Sequence, residues 1–227
     1  MADRSRVRQA LTSAAVELFL AKGYEETTVD EIAEAAGVAR RTFFRYFRTK
    51  EDAVFPDHDE CLRRVERFLA EADPTESPLS VIGAATGLVL AMYTEDPAAA
   101  VRRYELTRRV TVLREREIAT TSRYQRVLTD YLHRCSGGSR RTRLADEVAA
   151  AAVVAAHNHV LRQWLRDGGK GDARAALAEA LGSVVAALSP WVAGGLTPAD
   201  DQVVVLMMPR GTPLWRVVQE VEAATAG

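Results

Sequence analysis

The sequence predicts an all-α fold, with a small N-terminal three-helix unit followed by a larger helical body. Three observations predict it. The helix formers Ala, Leu, Arg and Glu dominate the composition. Apolar residues recur at three- and four-residue spacing over long stretches. Gly and Pro fall mainly between those stretches, where helices are expected to stop.

The first helix is expected from about Arg4 to Lys22, with Val7, Leu11, Ala15, Leu18 and Phe19 on one face and Gly23 after its last turn. Thr28-Val-Asp-Glu31 is a capping-box pattern that opens a short helix burying Val29, Ile32, Ala33 and Ala36. Gly37 ends that helix, and a second short one follows over about Arg40–Phe47. Thr49-Lys-Glu-Asp52 reads as another cap, starting a longer helix towards Ala72; Pro56 should kink it or mark its real start. After the polar break Asp73–Pro78, helices are expected at about Leu79–Thr94, Ala98–Arg109, Val112–Arg134, Leu144–Arg166 and Asp172–Ala187. Beyond Trp191 the pattern changes: Val203–Met208 is a short apolar run, and Leu214, Val217, Val218 and Val221 mark a small amphipathic helix.

With 227 residues, 48% of them hydrophobic, the chain can bury a sizeable core. Its formal charge of −1 means that any nucleic-acid contact must come from a local patch. Cys61 and Cys135 lie far apart and form no metal-ligand pattern, so two reduced thiols and no metal or cofactor are expected. Met1–Ala10 is polar, and the apolar run Val148–Ala156 is far short of a membrane span, so a cytoplasmic protein without a membrane partner is expected.

Two short helices joined by a Gly-containing turn and braced by a preceding amphipathic helix describe a helix-turn-helix, whose second helix enters the DNA major groove. From Val38 to Lys50 there are five basic residues and no acid, the footprint expected against a phosphate backbone. Arg40 and Arg41 can fork onto guanine O6 and N7. Thr28, at a helix N-terminus, can attract a phosphate. Thr42, Tyr46 and Lys50 can contact phosphates and fix register. Phe43 and Phe47 are expected in the core, and Phe44 against a thymine methyl.

These residues carry a family resemblance. Thr27-Thr-Val-Asp-Glu-Ile-Ala-Glu-Ala-Ala-Gly-Val38, Arg40-Arg-Thr-Phe-Phe-Arg-Tyr-Phe47 and Thr49-Lys-Glu51 resemble the TetR family of tetracycline-repressor-like regulators over about residues 6–55. The resemblance implies an Ω-shaped homodimer whose heads reach successive major grooves of a palindromic double-stranded operator. It also implies a division into a helix-turn-helix domain (1–48), a helical ligand-binding and dimerisation domain (49–191) and an extension of unknown role (192–227). Ala39 departs from the family's usual Ser or Thr, which removes a side-chain N-cap, and Phe44 departs from its usual Tyr, which removes a hydroxyl.

In the body, Val148, Ala152, Ala155, His159 and Arg162 form one seam of a long helix, and Ala176, Ala180, Val184 and Leu188 form another. The pair suits a symmetric dimer interface. His157-Asn-His159 interrupts an apolar helix; its two histidines point to different faces and make poor joint metal ligands. His157, Asn158 or Trp164 is expected to line an effector pocket, while Arg102, Arg103 and Tyr104 offer a site for an anionic effector. Arg102–Arg108, Leu113–Ala119, Tyr124–Arg126 and Ala150–Arg162 are similar to the sensor part of an actinobacterial subgroup that includes the mycofactocin-system regulator. That similarity implies an acyl-CoA thioester as effector.

The expected function is thus a repressor released from its operator by a small molecule. The alternatives are a transcriptional activator or a regulator without a ligand. An enzyme is not expected, since Gly168-Gly-Lys-Gly171 lacks P-loop spacing and no H-E-x-x-H or G-x-S-x-G occurs.

Overall fold

The computed structural model of the chain describes residues 2–138, 140 and 142–194. Among these, nine α-helices and one 3-10 turn follow in order. They are α1 (Ala2–Lys22), α2 (Val29–Ala35), α3 (Arg40–Tyr46), the 3-10 turn Asp52–Val54, α4 (His58–Ala70), α5 (Pro78–Thr94), α6 (Pro97–Arg109), α7 (Thr111–Cys135), α8 (Arg143–Arg166) and α9 (Ala173–Gly194). No strand occurs among the described residues. The apolar run Val203–Met208 and the helix expected after it lie outside them.

The head is built on aromatic and branched residues at helical spacing. Leu11, Ala15 and Phe19 of α1, Ile32 of α2, Phe43 of α3 and the following Phe47 are all buried in one core. Gly37 makes the turn between α2 and α3: at φ +68° it lets its own N–H reach the Glu34 carbonyl and the Val38 N–H reach that of Ala33. Ala53 and Val54 close this core, and so do Leu106 of α6 and Leu113 of α7, both buried although far along the chain.

The helix expected to start near Lys50 begins later, at His58. The Thr49–Asp52 capping box does form, with the Asp52 carboxylate 3.2 Å from the Thr49 N–H and the Thr49 hydroxyl 3.4 Å from that of Asp52. It opens only the 3-10 turn, because Pro56 forces Phe55 into an extended conformation (φ −90°, ψ 149°). Asp57 then caps α4 by accepting from the Glu60 N–H at 3.0 Å.

In the body, α5 runs through the middle and packs against α4, α6, α7, α8 and α9. Val65, Ile82, Leu132 and Val153 fill one core, and Leu90, Leu161, Trp164 and Leu177 a second. The buried Asp146 carboxylate ties α8 back to α7, accepting from the Ser136 hydroxyl at 3.1 Å and lying 2.9 Å from His133 Nδ1. Gly169, at φ +73°, turns the chain from α8 to α9; a Cβ there would meet Pro97 Cβ at 3.0 Å. No single described helix is long and apolar enough to cross a membrane.

Candidate DNA-reading face and effector cavity

Helix α3 buries Phe43 and turns Arg40, Arg41, Phe44 and Arg45 outward. The Arg40 guanidinium lies 2.8 Å from the Asp30 carboxylate and 5.6 Å from the centre of the Phe44 ring. Arg41 is exposed and joins no ion pair among the described residues, so its five donors are free for a partner. Phe44 is 48% exposed. Arg45 stacks over Tyr46 at 5.3 Å, and Thr42 and Tyr46 are half-buried. Ala39 takes the extended conformation of an N-cap (φ −71°, ψ 149°) but supplies no side-chain bond.

Thr28 and Lys50 are already engaged inside the head. Glu31 accepts from the Thr28 N–H and hydroxyl, both at 2.8 Å, and pairs with Lys22. The Lys22 ammonium and the Thr28 donors hold this carboxyl down at about 2. A phosphate approaching Thr28 therefore meets a charged carboxylate. Lys50 is half-buried: its ammonium donates to the Tyr24 carbonyl at 2.7 Å and the Thr27 carbonyl at 3.1 Å, and lies 4.1 Å from the Tyr24 ring centre. Two of its three N–H bonds brace the α1–α2 loop, leaving one for DNA.

A cavity of about 50 Å³ lies between α4, α5, α7 and α8. Its wall is apolar along Val65, Ala85, Val89, Leu128 and Leu161, with His58, Glu117, Tyr124 and His157 set into it. Burial pushes the imidazole of His157 down to about 4; His58, also lowered by Arg103 and Arg123 nearby, falls to about 4 as well. Both are neutral at pH 7. Burial also raises the Glu117 carboxyl. His58 Nδ1 lies 3.1 Å from the Tyr124 hydroxyl.

The residues expected to bind an effector are split between several places. His157 and Asn158 share the cavity. Trp164 does not reach it: it is buried in the second core and borders a separate groove with His159 and Gln163. Arg102 and Arg103 line an open cleft with Arg8 and Arg64, but Asp57, Glu60, Glu95 and Asp96 line it too. Four acids against four cations leave no net attraction for an anion. Tyr104 faces another groove, with Arg162 and Arg166 and no acid in its lining. Thr121, Val154 and Asn158 border both this groove and the cavity, so one layer of side chains separates the two. His58, Glu117 and Tyr124 were not anticipated, because they arrive from α4 and α7 rather than from the helix of His157.

A three-helix reader carrying a basic helix, set on a helical body with an internal cavity, defines a ligand-sensing DNA-binding regulator. The family model of bacterial regulatory proteins of the tetR family matches residues 11–54. The candidate mycofactocin biosynthesis transcriptional regulator MftR of Mycobacterium tuberculosis is 30% identical over 79% of this chain and 88% of its own length. The HTH-type transcriptional regulator TcmR of Streptomyces glaucescens is 46% identical over 37% of this chain and 38% of its own. Among solved structures, the transcriptional regulator FadR of Bacillus subtilis in complex with stearoyl-CoA superposes with a TM-score of 0.54 at 22% identity. It covers 78% of this chain and 97% of that one. The chain belongs to the tetR family and is a helix-turn-helix transcriptional regulator, not an enzyme. Regulators of this family bind operator DNA as homodimers.

Proposed function

We propose that the chain is a repressor that holds a palindromic operator as a homodimer and is released by a small molecule entering the α4–α8 cavity. One observation carries this reading: α7 touches both sites. It lends Glu117, Thr120, Thr121 and Tyr124 to the cavity wall, while Leu113 is buried in the head core and Arg116 pairs with Asp52 of the 3-10 turn. A guest that widens the cavity displaces α7, and the head moves with it. A cavity of about 50 Å³ is well below the roughly 150 Å³ that houses benzene, so any larger guest must open it. Ligand binding and head movement are then one equilibrium.

The division of labour follows: residues 1–48 form the reading head, 49–191 the sensor and dimerisation body, and 192–227 an extension. In the head, Arg41 reads a base and Arg40 supports or joins it, while Thr42, Tyr46 and Lys50 face phosphates and Phe44 a thymine methyl; Thr28, its donors taken by Glu31, caps α2 instead. The exposed α8 face at Val148 meets its copy together with α9, while Ala155, His159 and Arg162 further along the same seam line the groove at Tyr104.

The effector class best supported is an acyl-CoA thioester. The acid-free groove at Tyr104, Arg162 and Arg166 suits the coenzyme phosphates. Its boundary with the cavity at Thr121, Val154 and Asn158 gives the acyl chain a way in. The stearoyl-CoA complex of the B. subtilis FadR, a protein of the same fold, makes this the first class to test. Fluorescence anisotropy against DNA from the upstream intergenic region, with scrambled DNA as control, tests the reading. Specific binding reversed by stearoyl-CoA is expected. Specific binding that no acyl-CoA reverses would reject this effector class, and equal affinity for scrambled DNA would reject that operator.

A further inference from the structure

Among the described residues, the cavity holds one fully buried side-chain polar atom without a hydrogen-bond partner. His157 is 6% exposed, and its Nε2 is one of two fully buried side-chain polar atoms without a hydrogen-bond partner among the described residues. The other, Arg103 Nε, is outside this cavity. On the opposite side of the ring, His157 Nδ1 lies 3.3 Å from the Asn158 side-chain oxygen. That oxygen has no hydrogen, so the ring nitrogen must be the donor. Burial keeps the ring neutral at pH 7, and a neutral ring protonated on Nδ1 carries a bare lone pair on Nε2. The unmet need is therefore for a donor.

Several other polar groups of the wall are already engaged. The Thr86 hydroxyl donates to the Gly83 carbonyl at 2.7 Å. The Tyr124 hydroxyl and His58 Nδ1 meet each other at 3.1 Å. A saturated chain end entering here would leave Nε2 buried and unpaired, which costs about 1–3 kcal/mol.

We propose that the effector carries a hydroxyl group on the end that enters this cavity, and that His157 Nε2 accepts its hydrogen bond. The inference rests on the reading of the cavity as the effector site and narrows the ligand to an apolar body with an uncharged O–H donor. An aliphatic alcohol and a phenol both satisfy that chemistry, and the aromatic rings of His58, Tyr93 and Tyr124 around the cavity admit either. A site built around a bare acceptor discriminates strongly against the analogue that lacks the donor.

The test compares two matched pairs by calorimetric titration of the full-length protein: 12-hydroxydodecanoyl-CoA against dodecanoyl-CoA, and 1-naphthol against naphthalene. In at least one pair the hydroxylated member is expected to bind about 5–10-fold more tightly. The CoA pair alone showing the preference identifies an aliphatic alcohol; the naphthol pair alone identifies a phenol. His157→Phe, which keeps a ring but removes the acceptor, should bring the ratio close to one. His157→Gln, whose amide oxygen can accept, should restore part of it, and both variants are checked for native melting. Equal affinities within both pairs, a preference that survives His157→Phe, or no binding by any of the four compounds would overturn the proposal. Stearoyl-CoA lacks the donor and is expected to release the operator more weakly; release by dodecanoyl-CoA at concentrations no higher than 12-hydroxydodecanoyl-CoA requires, with no preference in the naphthol pair, would do the same while leaving the effector-released repressor intact.

Discussion

Individual side chains in the head divide into those that hold it and those free to read. Arg41 has no partner among the described residues, whereas Lys50 binds two carbonyl oxygens. The two substitutions should therefore fail differently. Arg41→Ala is expected to relax base preference at one position per half-site at a loss of roughly 1–3 kcal/mol, with the melting temperature unchanged. Lys50→Ala should weaken all DNA sequences alike and also lower stability by roughly 1–3 kcal/mol, since it removes charged hydrogen bonds from a half-buried loop. Anisotropy titrations on a panel of single-base operator variants, paired with thermal melts, separate these outcomes. At the cavity, His58 and His157 sit at about 4, against about 6.5 in an unfolded chain. Between those values the unfolded chain takes up protons that the fold refuses. Their contribution to stability is thus complete above about pH 6.5 and lost as the pH falls towards 4. Glu117, raised by burial, acts in the opposite sense and offsets part of the loss. By pH 5 each histidine should contribute a loss of roughly 2 kcal/mol. Melting followed by circular dichroism from pH 7 to pH 5 should show a drop that shrinks in His157→Phe; a flat profile would contradict two neutral, buried imidazoles.

At the level of elements, sequence signals held wherever the determinant is local. The Thr28–Glu31 capping box, the Gly37 turn and the alternation of buried and exposed residues on α3 depend on a few adjacent residues, and each is present in the structure. The Thr49–Asp52 box was equally legible, but Pro56 limits it to a single 3-10 turn. Proline and capping pattern compete there, and only geometry decides between them. Ala39 is a local weakness of α3: its backbone is already in the N-cap conformation, so Ala39→Ser needs no rearrangement to supply the missing bond. The substitution should stabilise the protein by about 1 kcal/mol, raising the melting temperature by roughly 2–4 °C. A lower melting temperature would mean that the serine side chain cannot reach the free amides. The sensor residues were harder to read, for physical reasons. Consecutive helical residues diverge by about 100°, so Tyr104 leaves the cleft of Arg102 and Arg103 for another groove. Trp164 follows His157 by seven residues on the same face, but about 10 Å further along the axis, too far to share a cavity this small. The partners of His157 across that cavity come from α4, α5 and α7, and spacing within one helix cannot reveal them.

For the whole molecule, the exposed face of α8 is the feature that the described residues leave without an occupant. Leu144 is 60% exposed and Val148 37%, on the seam assigned to the partner copy. In a two-fold interface a substitution appears twice and meets its own image. Val148→Glu should therefore place like charges across the axis, shift sedimentation to the monomer and reduce operator affinity sharply, since both half-sites must be held together. Its thermal melt should move to lower temperature and lose the concentration dependence of a dimer. A variant that stays dimeric would move the interface off this seam. The position is clear of both the cavity and the groove beside it, so effector binding by the variant monomer remains measurable.

The head core that includes Leu106 and Leu113 bears on how such proteins can be recombined. A reading unit whose interior is completed by side chains some fifty residues downstream is not a cassette. Cut off after the 3-10 turn, it would expose the apolar faces that those two leucines cover and lose its footing on α7. Grafting it onto an unrelated sensor would raise the same problem in mirror form, because the new corner must fill two leucine-sized holes. Specificity for DNA and for ligand can therefore drift independently only at the surfaces. At the α6–α7 corner the two halves must change together.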